Sequence, residues 1–153
     1  LKISELVDEE SIIEELNAVN KQEVLDEFSE LLKRNGKIPD GDALARVLSA
    51  REALGSTGIG DGVAIPHGKL PGLKGLAMAF GRSRRGINFD SLDGQPAKLF
   101  FLLVAPEDAP GEHLKALARI SRLMKNGHFR DQLVKAEDKA EIKRLITKEE
   151  ELR

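Results

Sequence analysis

The stretch AKLFFLLVA, Ala97–Ala105, is the longest nearly unbroken apolar run of the chain, and it leaves few architectures open. Its nine residues fall well short of the roughly 20 that a bilayer-spanning helix needs. A short apolar run bounded by turn residues is the pattern of a buried strand. Two further runs, GVAIPH at 62–67 and LAMAFGRS at 76–83, are bounded in the same way by Gly, Pro, Asn and Asp. The turn-rich RRGINFDSLDGQP separates the second run from the third, with Asp93-Gly94 as a tight-turn pair.

Both flanks read as helix. Ser11 and Glu14 have capping-box spacing for a short, fraying helix, and Asn20 with Glu23 repeats the signal. After Asn20, the residues Val24, Leu25, Phe28, Leu31 and Leu32 share one helical face, and Gly36 is a natural stop. Asp40 is expected to cap a helix carrying Leu44, Val47 and Leu48 and ending near Glu52. Beyond the strands, EHLKALARISRLMKN predicts a helix with Leu114, Leu117, Ala118, Ser121 and Met124 on its apolar stripe. Shorter helices are expected over Phe129–Ala136 and Lys139–Ile146, with the charged KEEELR tail frayed. Helices, then strands, then helices predict an α/β fold in which a sheet is covered by helices on both faces.

Composition fits one such domain over 1–153: 41% hydrophobic residues can fill a core and 33% charged residues solvate a surface. A net charge of −2 with acids and bases intermingled lacks the basic stripe of a nucleic-acid binder. The absence of cysteine excludes disulfide and thiolate chemistry and points to a reducing cytoplasm. The start, LKISELVDEESIIEEL, is acidic and amphipathic rather than leader-like, and its first residue, Leu1, suggests trimming.

The chemistry concentrates in GSTGIGDGVAIPHGK, 55–69. Its glycines suggest a phosphate cradle, yet no Gly-Lys-Ser/Thr ending follows, and the order is helix, glycines, strand rather than strand, glycines, helix. A plain helix-to-strand turn is the simpler reading. His67 ends the strand between Pro66, which favours extended backbone before it, and Gly68, which leaves one side of the ring uncrowded. An imidazole there suits a nucleophile or a ligand, or is a surface residue beside a turn. With only His67, His113 and His128 and no ligand motif, even counting Asp61 or Glu112, no metal site is expected. His113 falls in the first turn of a helix opened by Pro110-Gly111, where a neutral ring could donate to an anion or simply be a polar first-turn residue. Arg51, at a helix end before the glycines, either neutralises that end or clamps phosphate oxygens with its planar fork. A histidine nucleophile, a guanidinium and a second imidazole are together parts for phosphoryl transfer through a phosphohistidine.

REALGSTGIGDGVAIPHGK resembles the active-site segment of the enzyme IIA domains of the bacterial phosphoenolpyruvate-dependent sugar phosphotransferase system, fructose/mannitol type. Glu52, Ile59, Gly60, Val63, Ala64, Ile65, Pro66, His67 and Gly68 fill every slot of that signature. INFDSLDGQPAKLFFLLVAPED and EHLKALARISRLMKN…FRDQL resemble the later strands and helix, so that the likeness covers nearly the whole chain as one type-2 IIA domain. It implies a mixed parallel/antiparallel sheet flanked by helices, the phosphotransferase/anion-transport-protein-like fold. It also implies that His67 is phosphorylated on Nε2, that Arg51 binds the phosphoryl group, and that His113 hydrogen-bonds and positions it. The implied donor is the phosphohistidine carrier protein HPr or its nitrogen-system paralogue, with no cofactor, no nucleic acid and no membrane insertion.

The wording around His67 resembles the nitrogen-regulatory branch, whose output is phosphorylation-dependent regulation. The alternative is a fructose- or mannitol-specific IIA that passes the group to a IIB domain. A non-phosphorylated docking module and a nucleotide-dependent enzyme are the readings from other classes. The contact surface for the donor is expected to be apolar with an acidic rim, with Leu70, Leu73 and Phe80 as its candidates.

Overall fold

The Ala97–Ala105 run forms the spine of the sheet. In the computed structural model, which describes residues 1–153, β6 (Ala97–Pro106) is paired along both edges and covered on both faces. Its side chains alternate as pleating requires. Phe100, Leu102 and Val104 join one hydrophobic cluster, and Leu99, Phe101 and Leu103 join the other. A strand with two buried faces must be apolar at nearly every position, which is why its sequence does not alternate.

One edge of β6 holds β5 (Ala77–Ile87), antiparallel, with Phe80 opposite Phe101. The other edge is shared by two short parallel strands, β3 (Val63–Ala64) beside Leu99–Phe100 and β4 (His67–Leu70) beside Leu103–Pro106. Pro66, without an N–H, separates them, and its carbonyl accepts from Leu103 N at 3.0 Å. β2 (Gly58–Gly60) closes that edge as a hairpin with β3, and β1 (Ile12–Ile13) runs parallel to β5 on the far side. The sheet is therefore mixed, in the order β1-β5-β6-β3-β2 with β4 also on β6.

The helices divide between the two faces of the sheet, the short first helix joining the three C-terminal ones. On one face, α2 (Lys21–Arg34) and α3 (Gly41–Ala53) bury Val24, Leu25, Phe28, Leu32, Leu44 and Leu48. On the other, α1 (Ile3–Leu6), α4 (Pro110–Leu123), α5 (Gly127–Lys135) and α6 (Lys139–Glu151) bury Ile3, Ile120, Phe129, Leu133, Ile142 and Ile146. Asn20 and Asp40 cap α2 and α3 as their sequence positions predict, accepting from Glu23 N at 2.9 Å and Ala43 N at 3.1 Å. Gly36, at φ 72°, ends the first of these helices with a left-handed residue.

Three expectations are corrected. Ser11 does not cap a helix: Asp8 accepts from Ser11 N at 3.1 Å to close a 3₁₀ turn, and Ile12 and Ile13 then pair with Phe80 and Gly81. Sheet pairing outweighs a capping signal that had only a short, weakly amphipathic segment behind it. On α4 the buried stripe is His113, Ala116, Ile120 and Leu123; of the expected stripe, Met124 is buried and Leu117 packs against the core, while Leu114 and Ala118 are exposed. The C-terminal tail is helical to Glu151, because Glu150 accepts from Ile3 N at 2.6 Å and Ser4 N at 2.9 Å, and Asn126 donates to Glu149 at 3.0 Å. No helix is long and apolar enough to cross a membrane.

Candidate functional site

The site lies where the start of β4, the last turn of α3 and the first turn of α4 converge. His67 does not end a strand, as its sequence position predicts, but opens one: Pro66 splits the GVAIPH run, and His67 is the half-buried first residue of β4, opposite Leu103. Its ring is anchored locally: Nδ1 stands 2.7 Å from the carbonyl oxygen of Ile65. A carbonyl only accepts, so Nδ1 carries the proton and the lone pair of the neutral ring sits on Nε2. Pro66 makes this contact possible by breaking the ladder between β3 and β4, which leaves the Ile65 carbonyl for the side chain.

Burial pushes the pKa of His67 below its ordinary value. The bond to Ile65 opposes that shift, the Arg51 charge adds to it, and the Glu52 carboxylate counters it. The ring is thereby kept unprotonated and nucleophilic.

His113 completes the pair. The rings of His67 and His113 meet edge to face, centroids 5.3 Å apart and planes at 73°. His113 is only 7% exposed, and its Nε2 is buried without a hydrogen-bond partner. A buried polar atom left unpaired costs about 1–3 kcal/mol unless something occupies the site to meet it. Burial first, then the neighbouring His67 and Lys69, hold the His113 pKa low, so this ring too is neutral.

Arg51 occupies the last turn of α3, one of its Nη1 hydrogens on the Gly55 carbonyl at 2.9 Å. The remaining donors of a guanidinium fork suit an anion. The structure thus brings all three sequence candidates to one place: His67 and His113 by ring contact, Arg51 by proximity of charge.

Two readings of the flanking glycines change. Gly68 is buried and does not serve to leave the ring open: a Cβ there would lie 2.5 Å from Val47 Cγ1, so its smallness lets α3 pack onto β4. The glycine run is not a plain helix-to-strand turn but contains the β2–β3 hairpin, turned by Asp61 and Gly62 at φ 56° and 77°, the conformation of a two-residue turn that favours Asp-Gly. The expected docking residues Leu70 and Phe80 are buried at 3% and 0% exposure, since both point into the core from strands, and Leu73 is half-buried. Exposed apolar side chains near the site are instead Leu54, three residues after Arg51, and Leu114, next to His113.

Sequence reasoning passed over Thr57 and Lys21 and treated Glu52 only as a motif position. The Glu52 side chain is 5% exposed, bonded to Thr57 and paired with Lys21 Nζ at 3.2 Å. A glutamate in the last turn of a helix, where the dipole disfavours it, was the available signal.

A mixed sheet between two helical layers, with two imidazoles in contact at the start of β4, describes an α/β domain whose family the comparisons identify. Residues 5–149 match the family model described as phosphoenolpyruvate-dependent sugar phosphotransferase system, EIIA 2, and the chain belongs to that family. It is 44% identical over 142 residues to a nitrogen regulatory protein of Bradyrhizobium diazoefficiens, covering 90% of each chain. It is 41% identical over 146 residues to the fructose-specific EIIABC component of Bacillus subtilis, covering 95% of this chain but only 23% of that relative's length. Among solved structures, nitrogen regulatory protein IIA-Ntr from Neisseria meningitidis superposes with a TM-score of 0.87 at 35% identity, covering 94% of this chain and 98% of the other. The mannitol IIA of Escherichia coli shares the fold, with a TM-score of 0.78 at 19% identity.

Proposed function

We propose that the chain is a phosphocarrier that takes a phosphoryl group onto Nε2 of His67 from the phosphohistidine of HPr or its nitrogen-system paralogue. Its phosphorylation state then regulates a target protein. The observation that carries this reading is the tautomer of His67: with Nδ1–H held by Ile65, the lone pair of Nε2 stands beside the unpartnered His113.

In the transfer, the bond from phosphorus to the donor imidazole breaks as the bond to Nε2 forms, and the donor nitrogen leaves with the electron pair. The Nδ1 proton stays, and the Ile65 carbonyl meets the positive charge that develops on the His67 ring. Arg51 and His113 stabilise the equatorial oxygens, so the protein's contribution is alignment and charge. Exposed Leu54 and Leu114 give the donor an apolar footing beside the ring.

Incubation with phosphoenolpyruvate, enzyme I and HPr, followed by intact mass, tests the claim. One added phosphoryl group is expected, acid-labile and alkali-stable, and absent from His67→Ala. An unmodified wild-type mass under active donor conditions would overturn it. The relatives' names favour the regulatory branch, through the Bradyrhizobium and Neisseria proteins, with sugar uptake through a IIB domain as the second reading from the Bacillus protein. Adding a candidate IIB separates them, because rapid onward transfer belongs to uptake alone.

A further inference from the structure

Glu52 follows Arg51 in the chain and is buried at the end of α3, where a carboxylate gains nothing from the helix dipole. Its position is explained by what it holds. Oε1 accepts from Thr57 N at 3.2 Å and pairs with Lys21 Nζ at 3.2 Å, and Oε2 accepts from the Thr57 hydroxyl. Lys21 itself bridges to Asp90 at 3.1 Å and lies 4.9 Å above the Phe89 ring. The carboxylate therefore ties the end of α3 to the start of β2 and to the segment that follows β5.

The short loop between these ties contains Gly55, whose carbonyl receives the Arg51 guanidinium. Leu54 N and Gly55 N bond back to Arg51 O and Glu52 O, both at 3.1 Å, so the loop folds onto the helix end as one unit. Thr57 is 3% exposed, and its carbonyl accepts from Ile65 N at 3.0 Å, two residues before His67. Glu52 thus grips the one segment that touches both the guanidinium and the strand leading to the imidazole.

We propose that Glu52 is a positioning residue for phosphoryl transfer: by clamping Thr57 it fixes the Gly55 carbonyl, and through it the place of the Arg51 guanidinium beside His67. The proposal rests on the phosphocarrier reading, and deepens it by assigning the Thr57 clamp a kinetic role. Glu52 touches no reacting atom; its carboxylate acts on the His67 pKa as a charge, and its positioning effect passes through Arg51.

The test is a double-mutant cycle on the rate of phosphorylation by phospho-HPr, read together with the Arg51 Nε–H resonance. Glu52→Ala opens the clamp, and a misplacement of about 1 Å is expected to slow transfer on the order of 10- to 100-fold. Glu52→Gln keeps an acceptor for Thr57 N–H and a donor for the Thr57 hydroxyl, and is expected to recover most of that rate. Thr57→Val, which removes the hydroxyl while leaving the charge, falls between them and carries the test if the alanine variant folds poorly. In an Arg51→Ala background, Glu52→Ala is expected to add no further slowing.

A Glu52→Ala rate equal to wild type, a Glu52→Gln rate as low as that of Glu52→Ala, or undiminished slowing in the Arg51→Ala background would each overturn the proposal. If no variant, nor the wild type, accepts a phosphoryl group, it is the phosphocarrier reading that fails. The resonance still decides the clamp: Glu52→Ala and Thr57→Val should move the Arg51 signal while Glu52→Gln leaves it near its wild-type position, and an Arg51 signal unmoved by all three would overturn the coupling.

Discussion

Replacing Gly68 with alanine adds one methyl group at the tightest contact between α3 and the strand that carries His67. The added Cβ would lie 2.5 Å from Val47 Cγ1, with Val47 Cβ and Leu48 Cδ2 at 3.8 Å. Only Cγ1 is too close, yet valine in a helix has one strongly preferred rotamer and does not swing aside cheaply. Overpacking of this kind costs about 1–3 kcal/mol, or about 2–12 °C in Tm for a domain of this size. Val47→Ala alone removes two half-buried methyl groups at about 1–2 kcal/mol. In the double variant the clash is gone and the remaining neighbours are at ordinary contact distance. It should therefore melt at or slightly above Val47→Ala, because alanine also restricts the unfolded chain. Thermal denaturation of the four proteins measures this coupling. Because Arg51 lies one turn beyond Val47 on the same helical face, Gly68→Ala should also slow phosphorylation of His67, and Val47→Ala should restore it. A Gly68→Ala variant that melts with wild type, or a double variant showing the sum of both losses, would refute the argument that this glycine exists for helix packing.

Arg82, 1% exposed, donates to the carbonyls of Glu14 at 3.0 Å, Leu133 at 2.8 Å and Ala136, and since Ala136 keeps a bond from Arg84 at 2.6 Å, Arg82→Met should destabilise by about 1–3 kcal/mol in a urea titration by orphaning the Glu14 and Leu133 carbonyls. Glu150→Ala removes the acceptor for Ile3 N and Ser4 N and should cost about 0.5–2 kcal/mol, with hydrogen exchange accelerated in residues 3–7. His67 and His113 both have folded pKa values below the ordinary 6.5, so on acidification the unfolded chain takes up these protons first. The stability due to the neutral rings is whole above that value and is lost as pH falls through it toward the folded values. Denaturation between about pH 8 and 5 should show a slope that flattens in a His67→Gln/His113→Gln variant.

The two long strands could be read from their apolar runs and the four longer helices from periodicity, whereas the GVAIPH run gave one expected strand where the structure has β3 and the start of β4. What escaped were elements defined by partners rather than by pattern. Two residues, Ile12 and Ile13, are too few to show a period, and they are a strand only because β5 offers an open edge. The glycines of 58–62 lack the β-branched and aromatic residues of ordinary strands, so the hairpin they form was hidden. Glu149 and Glu150 look like solvated tail charges until the N-terminal segment and Asn126 arrive to use them.

At the candidate site, the sequence names His67, Arg51 and His113, which the fold brings together, but not the phase in which they meet. On α4, the stripe through Leu114 and Leu117 and the stripe through His113, Ala116, Ile120 and Leu123 both have helical spacing, and they differ by about 100° of rotation. Counting histidine as polar selects the first; the fold adopts the second. The second stripe leaves Leu114 in solvent, which is ordinary for a single leucine, and buries the imidazole, which is the informative feature. Under the phosphocarrier proposal, the ring nitrogen left without a partner would be met by an anion between His113 and His67. That account of the unpaired nitrogen is testable. His113→Leu satisfies the core and removes the orphaned atom, so it should raise thermal stability while slowing phosphorylation of His67. A variant that gains stability with no loss of rate would show that the buried imidazole belongs to the packing alone.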